Sequence, residues 1–249
     1  MNLGAHQFRF WGCPCAGTTD LWSVAPEEVH HIRKVLRLKV GEPVELCDGR
    51  GTLIVGHIAQ LHTDKVLVAV DQVMQQPQPQ PVAELCLLIG ALKPSVFDEV
   101  LPMLVELGVT RLCIFQQKGR NLSYTKEKVI QRWQRIVAAS VKQCKRLYVP
   151  QIQVKDSLEA AVEYAAQHLV GSIAWLHCCP GYKNDLSLLR LSEEHQPHHK
   201  VIVVGSESGF SSEESQYLTR EKFRPFTLGP HILRAKTAAV AALALAHSL

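Results

Sequence analysis

Two strand-like segments near the carboxyl end constrain the fold most, because each runs into a loop of unusual composition. Residues 201–205 form a β-branched run that ends at a glycine and continues as Ser-Glu-Ser-Gly-Phe, and residues 226–228 continue as Gly-Pro-His-Ile-Leu. An Ala-rich helix is predicted over 234–247. Open α/β sheets bind ligands in loops at the carboxyl ends of neighbouring strands. The pattern therefore predicts a ligand site built from both loops.

The rest of the chain from residue 85 onward also indicates an α/β sheet. Strand-like runs alternate with helical patterns, a sequence order typical of βαβ units and a parallel sheet. The strands are predicted at 85–92, 111–115, 173–177, 201–205 and 226–228, and the helices at 95–107, 125–147, 156–168, 212–219 and 234–247. Neither a phosphate-binding G-x-x-x-x-G-K-[ST] loop nor a G-x-G-x-x-G motif occurs, so nothing favours a nucleoside triphosphatase or a standard dinucleotide fold.

The alternating Gln and Pro residues at 75–81 predict an extended linker between two domains, residues 1–74 and 82–249. In the smaller domain a helix is predicted from Pro26, followed by strands at 43–47, 52–59 and 65–70 with a hairpin turn at 48–51. In this helix Val29, Ile32, Val35 and Leu36 are predicted to share one face. Short strands with one helix indicate a small β-barrel.

Composition places the chain in a reducing compartment. Its eight cysteines include no C-x-x-C pair, so neither a zinc ribbon nor a disulfide framework is indicated, and no metal is expected. The longest apolar run, residues 238–246, is too short and too Ala-rich to span a membrane. We therefore expect a cytoplasmic protein without a membrane partner.

A basic segment predicts contact with RNA. Between residues 118 and 146 the only acid is Glu127, against nine cations: Lys118, Arg120, Lys126, Lys128, Arg132, Arg135, Lys142, Lys145 and Arg146. Such a local surplus can neutralise phosphates. The alternative is an ordinary solvated helix face.

The two carboxyl-terminal loops offer backbone groups to a ligand. Gly205 and Gly209 tolerate positive φ and allow close approach to the main chain, and Glu207 between them offers a carboxylate. Gly229 and Pro230 predict an irregular turn whose N–H and C=O groups can read an adenine edge. Either loop alone is compatible with an ordinary β–α turn, but the two in series favour a binding site.

These loops resemble those of the RsmE family of ribosomal RNA methyltransferases. The segment Gly205-Ser-Glu-Ser-Gly-Phe210 is similar to the family's Gly-Pro-Glu-Gly-Gly-Phe, and Leu228-Gly-Pro-His-Ile-Leu-Arg-Ala-Lys-Thr-Ala238 is similar to Leu-Gly-Pro-Arg-Ile-Leu-Arg-Thr-Glu-Thr-Ala. Further matches follow in the family's order at Phe8-Arg9-Phe10, His30-His31, Glu106-Leu-Gly-Val109 and Gln143-Cys-Lys-Arg146. The resemblance covers nearly the whole chain.

The resemblance implies both a fold and an activity. The fold would be a SPOUT-type α/β domain with a carboxyl-terminal trefoil knot, preceded by a PUA-like β-barrel. The activity would be transfer of a methyl group from S-adenosylmethionine to N3 of a uridine in 16S ribosomal RNA, free or in the small subunit. A homodimer in the cytoplasm is implied as well.

The resemblance also assigns residues by position. Catalytic roles are assigned to Arg234 and Glu207, which match the family's motifs, and to His231 and Lys236, which depart from them. The cofactor would be held by Leu176, His177, Gly205, Glu207, Gly209, Leu228, Gly229, Ile232 and Leu233. Independently of the resemblance, the placement of charge assigns RNA binding to Arg9, Arg33, Arg37, Arg120 and Arg146.

Several positions depart from the family's pattern. Ser206, Ser208, His231, Lys236, Lys142 and Met103 replace Pro, Gly, Arg, Glu, Glu and Lys respectively. Two hypotheses follow. In one, the changes at 142, 236 and 103 rearrange a single charge network, Lys236 stabilises the imide anion and His231 accepts the proton. In the other, the chain is a catalytically impaired paralogue that binds RNA or ribosomes.

Overall fold

The computed structural model describes residues 8–75, 83–117, 127–181 and 199–246. The chain divides into two compact units, of which the first comprises Met1–Gln78 with Val141–Val149 and the second comprises Pro79–Ser140 with Pro150–Leu249. One boundary therefore falls within the Pro/Gln segment. The segment Val141–Val149, which the sequence places in the larger domain, is grouped with the smaller unit.

The first unit contains the predicted small barrel, which is confirmed. Its strands are β1 (Arg9–Pro14), β2 (Leu21–Val24), β3 (Pro43–Cys47), β4 (Thr52–Leu61) and β5 (Val66–Gln75). They are ordered β1-β2-β5-β4-β3 and close through parallel pairing of β1 with β3, which leaves no open edge. The turn between β3 and β4 forms as predicted, because the Asp48 carboxylate accepts the backbone N–H groups of Arg50 and Thr52 at 2.7 and 3.0 Å.

The helix of this unit differs from its prediction in which residues share one face. Helix α1 (Pro26–His30) continues as a π-helix over His31–Leu36. Val29 and Ile32 pack into the barrel core, whereas Val35 is 59% exposed. Val35 therefore does not share a face with Val29 and Ile32 as predicted, because the wider π turn breaks the 3.6-residue period on which the prediction depended.

The second unit is built on the predicted parallel sheet. Its six strands are ordered β11-β9-β10-β6-β7-β8, and every pairing is parallel. The strands are β6 (Leu85–Gly90), β7 (Arg111–Phe115), β8 (Gln151–Lys155), β9 (Ile173–Cys178), β10 (His199–Val204) and β11 (Arg224–Phe226). Strand β8 was not predicted, because as an edge strand it lacks the continuous apolar run of a central strand such as β6.

Within the described residues, five helices accompany the sheet: α2 (Pro94–Glu106), α3 (Glu127–Gln143), α4 (Leu158–His168), α5 (Ser212–Arg220) and α6 (Ala235–Ala246). All five were predicted, although α3 ends at Gln143 rather than at 147. Helix α4 packs on β6, β7 and β8, whereas α6 packs on β6, β10 and α2. Small buried side chains such as Ala238, Ala239 and Ala242 permit the close approach of α6. In the described part of the chain, no helix has the length and apolar character needed to cross a bilayer.

Candidate functional site

The two carboxyl-terminal loops lie together around one cavity of about 530 Å³ in the second unit. Gly205, Glu207 and Gly209 line it from the loop after β10, and Leu233 and Arg234 line it from the segment before α6. Its volume falls within the range of about 300–1,000 Å³ typical of small-molecule sites. The loops therefore form one site at the carboxyl edge of the sheet, the place where open α/β sheets bind ligands.

The strand beside this cavity contributes different residues from those assigned by position. Leu176 is buried in the sheet at 2% exposure, and the His177 ring contacts the Phe210 ring edge-on at 6.3 Å between centroids. Among the described residues of this segment, it is Cys178 and Pro180 that line the cavity. The cavity lies at the carboxyl edge of the sheet, and β9 ends only at Cys178, so Leu176 and His177 are still within the strand.

The second loop is only partly in the cavity wall. Ile232 and Leu233 line the cavity, and Ile232 is 86% exposed at its rim. Of the described residues in this loop, Leu228, Gly229 and His231 lie outside the lining. Gly229 has a φ of +130°, a conformation that side-chain-bearing residues rarely adopt, so glycine is needed there for backbone shape rather than for space.

The first loop is a tight reversal. The backbone N–H of Gly209 donates to the Ser206 carbonyl at 2.9 Å. A Cβ added at Gly205 would lie 3.0 Å from the Gly209 carbonyl carbon, and Gly209 itself has a φ of +73°. Both glycines are therefore required by the loop's own geometry, and the loop exposes Glu207 between them.

The two serine departures fit this loop. The hydroxyls of Ser206 and Ser208 are 3.1 Å apart and hydrogen-bonded. Ser208 lines a second, smaller cavity of about 360 Å³ together with Gln117 and Glu214. Of the described loop residues, Ser208 is outside the lining of the larger cavity, so its side chain leaves that space open.

The reversed charges at 236 and 142 lie in separate ion pairs. Lys236 Nζ lies 2.6 Å from Glu99 Oε2, and both side chains line the larger cavity. Lys142 pairs with the buried Glu28 within the first unit. The hypothesis of a single compensating network is therefore wrong: each lysine has its own carboxylate partner. Met103, one helical turn after Glu99, is 48% exposed.

The cavity thus contains two carboxylates and two cations. Glu207 and Arg234 face it from the two loops, and Glu99 and Lys236 face it as a pair. Burial raises the pKa of the nearby Cys178 thiol to about 11, with a contribution from Cys179, so this wall is neutral at physiological pH. Such a lining suits a zwitterionic ligand with an apolar ring system.

The arginines assigned to RNA are placed unequally. Arg9 has a side chain only 7% exposed and pairs with Glu45 at 2.8 Å, so it stabilises the barrel. Desolvation by burial lowers the pKa of Arg146. Arg33 donates to the Thr63 carbonyl at 2.9 Å at the surface, and Arg37 is exposed. Arg120 lies outside the described residues.

Besides the cavity-lining residues already named, sequence reasoning missed two residues that shape the loop after β10. Gly90 ends β6, and a Cβ there would lie 2.5 Å from the Ser206 nitrogen, so glycine is needed for the loop to approach the strand. Its position at the end of an apolar strand was an available signal. Gln117 binds the same loop through its side chain. Nothing in the local sequence distinguishes Gln117 from Gln116.

Known families match both units. The model of the RNA methyltransferase domain matches residues 78–247, and the model of the RNA methyltransferase PUA domain matches residues 24–71. The second match covers most of the barrel unit, and the first contains the whole described sheet and both cavities.

Curated relatives cover most of the chain. It is 29% identical over 226 residues to ribosomal RNA small subunit methyltransferase E of Synechocystis sp., which covers 89% of this chain and 71% of the relative. It is 26% identical over 240 residues to the protein of the same name from Buchnera aphidicola subsp. Schizaphis graminum, with 89% and 87% covered.

Solved structures share the fold. Ribosomal RNA small subunit methyltransferase E from Neisseria gonorrhoeae, bound to S-adenosyl methionine, has a TM-score of 0.77 at 23% identity, with 98% of both chains covered. A Legionella pneumophila methyltransferase in complex with the same cofactor has a TM-score of 0.76 at 24% identity, again with 98% of both chains covered. Because the matching domain model spans well over half of the chain, this protein belongs to the RNA methyltransferase domain family.

Proposed function

We propose that this protein transfers a methyl group from S-adenosylmethionine to N3 of a uridine in 16S ribosomal RNA. The observation that carries the proposal is the single cavity formed by the loops 205–210 and 232–236 at the carboxyl edge of the sheet. It is supported by the names of the curated relatives, which are small-subunit ribosomal RNA methyltransferases, and by two neighbours of the same fold that bind S-adenosylmethionine.

The residues present fit this donor. Apolar side chains of Leu92, Val204 and Leu233 provide walls for an adenine ring, and the glycine-rich loop provides backbone groups close to the cavity. Glu207 would hold the ribose hydroxyls. Once bound, the donor supplies an electrophilic methyl group, and the protein has only to bring the uracil nitrogen into line with it.

The remaining chemistry concerns a proton and a negative charge. Uracil N3–H is a weak acid, so its proton must leave and the resulting imide anion must be stabilised. We assign anion stabilisation to Arg234 at the cavity rim, assisted by Lys236. We assign proton acceptance to the imidazole of His231, which is exposed in the adjacent loop.

RNA recognition is assigned to cations on both units. Arg33 and Arg37 of the barrel unit, and Lys128 and Arg135 of α3, are positions at which phosphates can be neutralised. Arg120 and Arg146 belong to the basic segment and are kept in this assignment, whereas Arg9 is paired with Glu45 and supports the barrel. A ribosomal RNA substrate would place the enzyme in the cytoplasm.

Two features of the proposal come from the resemblance. One is a homodimer in which a second copy completes the site. The other is a trefoil knot at the carboxyl end, which is compatible with the packing of α6 on β6 and β10. Both stay predictions.

The impaired-paralogue hypothesis is not favoured. The serines at 206 and 208 are hydrogen-bonded within the loop, and Lys236 has a carboxylate partner in the cavity. The departures are therefore accommodated rather than left as unpaired charges.

The test is methyl transfer to small ribosomal subunits that lack the N3 mark, with radiolabelled S-adenosylmethionine. We expect one methyl group per subunit, located at uridine N3 by mass spectrometry of nuclease fragments. Calorimetry with the donor alone separates the two hypotheses, because an absence of donor binding would support the RNA-binding paralogue. If the donor binds but no methyl group is transferred to free RNA or to subunits, the assigned substrate is wrong.

A further inference from the structure

Gln117 is a buried polar residue beside the loop 205–210, which is called the cofactor loop below. It follows β7 by two residues, and only 7% of its surface is exposed. A buried amide needs hydrogen-bond partners. Its Nε2 donates to the Gly209 carbonyl at 3.0 Å and to Glu214 Oε2 at 2.8 Å, and its Oε1 accepts the Ser206 backbone N–H at 3.2 Å.

Through these partners, the Gln117 amide contacts both ends of the loop and the helix that follows it. Ser206 and Gly209 are the two ends of the tight reversal, so the amide bridges it from start to finish. Glu214 also accepts the Ser211 N–H at 2.8 Å and forms the capping box of α5. Gln117 therefore connects the end of β7, the loop and the first turn of the following helix.

The hydrogen bond to Ser206 has a particular cause. The family that this chain resembles has proline at this position, and proline has no N–H group. Serine introduces an N–H that is buried, because Ser206 is only 5% exposed. The close approach of Gly90 confines the loop from the other side, since a Cβ there would lie 2.5 Å from the Ser206 nitrogen and 2.8 Å from the Gln117 oxygen.

We propose that Gln117 is a positioning residue for the methyl donor: its amide holds the 206–209 loop in the shape that presents Gly205 and Glu207 to the cavity, and replaces the rigidity that proline provides elsewhere. The proposal rests on the proposed function, because the loop matters only if the donor binds there. Of the two cavities, Gln117 lines only the smaller one, so it acts through the loop.

The first measurement is made without ligand. We expect Gln117→Leu to increase the amide hydrogen exchange of Ser206, because its N–H loses its acceptor. Exchange of Gly209 should also increase, because its N–H donates to the Ser206 carbonyl in the reversal that the Gln117 amide holds closed. Gln167→Leu is the matched control, since Gln167 makes an exposed amide–carboxylate bond to Glu163 at 3.1 Å on α4. Unchanged exchange in the Gln117 variant would overturn the proposal whether or not the protein binds the donor.

The second measurement is donor affinity by calorimetry. An unsatisfied buried group costs enough for Gln117→Leu to weaken S-adenosylmethionine binding about ten- to a hundredfold. Ser206→Pro in the same variant removes the orphaned N–H and should recover most of that loss. If Gln117 merely filled space in the core, removing the Ser206 N–H would recover nothing. Affinity equal to that of the wild type in the single variant, or no recovery in the double variant, would overturn the proposal.

Folding and function are kept apart. If Gln117→Leu fails to fold and the double variant folds, the rescue itself supports the proposal. If neither variant folds, the isosteric Gln117→Glu is used instead. It keeps an acceptor for the Ser206 N–H but loses the donor to the Gly209 carbonyl. Wild-type exchange and donor affinity in Gln117→Glu would overturn the proposal. If the wild type binds no donor, the proposed function fails, while the exchange experiment still decides whether Gln117 holds the loop.

Discussion

At the scale of single residues, the cavity shows how a charge reversal can be absorbed. Lys236 occupies a position where the family usually has Glu, and its Nζ lies 2.6 Å from Glu99 Oε2 on α2. The pair keeps one carboxylate and one ammonium group at the rim. Both side chains are substantially exposed, so the pair contributes little to stability, about 0–1 kcal/mol. Its importance is for the electrostatics of the site.

Exchanging the two charges tests that role. We expect Glu99→Lys and Lys236→Glu each to reduce methyl transfer about tenfold, equivalent to about 1.4 kcal/mol, because two like charges then face the substrate. The double variant should recover most of the activity with an unchanged melting temperature. The measurement is the initial rate of transfer to small subunits. A double variant no better than the single variants would show that the sign at 236, and not the pair, matters.

His177 is a second residue with a measurable consequence. It is buried, its Nδ1 has no hydrogen-bond partner among the described residues, and burial lowers its pKa from the usual 6.5. The folded state therefore keeps the ring neutral, while the unfolded chain takes up a proton below that pH. Stability should fall as the pH drops below 6.5, by at most about 1.4 kcal/mol per pH unit.

The measurement is the free energy of unfolding in urea at pH 8.0 and about 5.5. His177→Phe removes the titrating group and keeps a flat ring, so its loss of stability across this range should be smaller than that of the wild type. His57→Phe, at an exposed pair with Asp71, is the control. Equal acid sensitivity in the wild type and the His177 variant would contradict the prediction.

At the scale of elements, the shape of the cofactor loop depends on strands that are distant in sequence. Gly90 at the end of β6 is adjacent to Ser206 after β10, because these strands are paired in the sheet. The helix and strand patterns were local and were predicted well. The π-helix over His31–Leu36 and the edge strand β8 were not, because both depend on packing more than on periodicity.

Gly90→Ala tests the contact between strand and loop. Its Cβ would lie 2.5 Å from the Ser206 nitrogen, so the loop must move, and we expect donor affinity to fall at least about tenfold, equivalent to about 1.4 kcal/mol. Calorimetry gives the affinity. Gly41→Ala is the control, because Gly41 is in the first unit with open space around it and should lose stability through its positive φ without losing affinity. Wild-type affinity in Gly90→Ala would refute the contact.

At the scale of the whole molecule, the chain leaves the barrel unit and returns to it. The segment Val141–Val149 is grouped with the first unit although it begins with the last residues of α3, the rest of which is grouped with the second. Within that unit Lys142 pairs with the buried Glu28, and Lys145 pairs with Glu45 at 2.9 Å. Part of the basic surplus between 118 and 146 is thus committed to ion pairs in the first unit rather than to RNA.

Restoring the family's residue at 142 should therefore be harmful. Lys142→Glu places a second carboxylate against buried Glu28, and breaking such a pair costs about 3–5 kcal/mol. The measurement is thermal and urea unfolding of the full chain. The double variant Lys142→Met with Glu28→Leu, which removes both charges, should be close to the wild type. If Lys142→Glu unfolds like the wild type, the pair does not stabilise the barrel.

The sequence by itself determined the parts of this protein that depend on local pattern. Apolar periodicity, strand–helix alternation and the Gly and Pro positions were enough for the parallel sheet, the barrel and the two loops, because each is set by neighbours along the chain. Only the tertiary structure decided which groups meet. Gln117 binds Ser206 across 89 positions and Lys236 binds Glu99 across 137, since strand order and helix packing create these contacts and no local pattern records them.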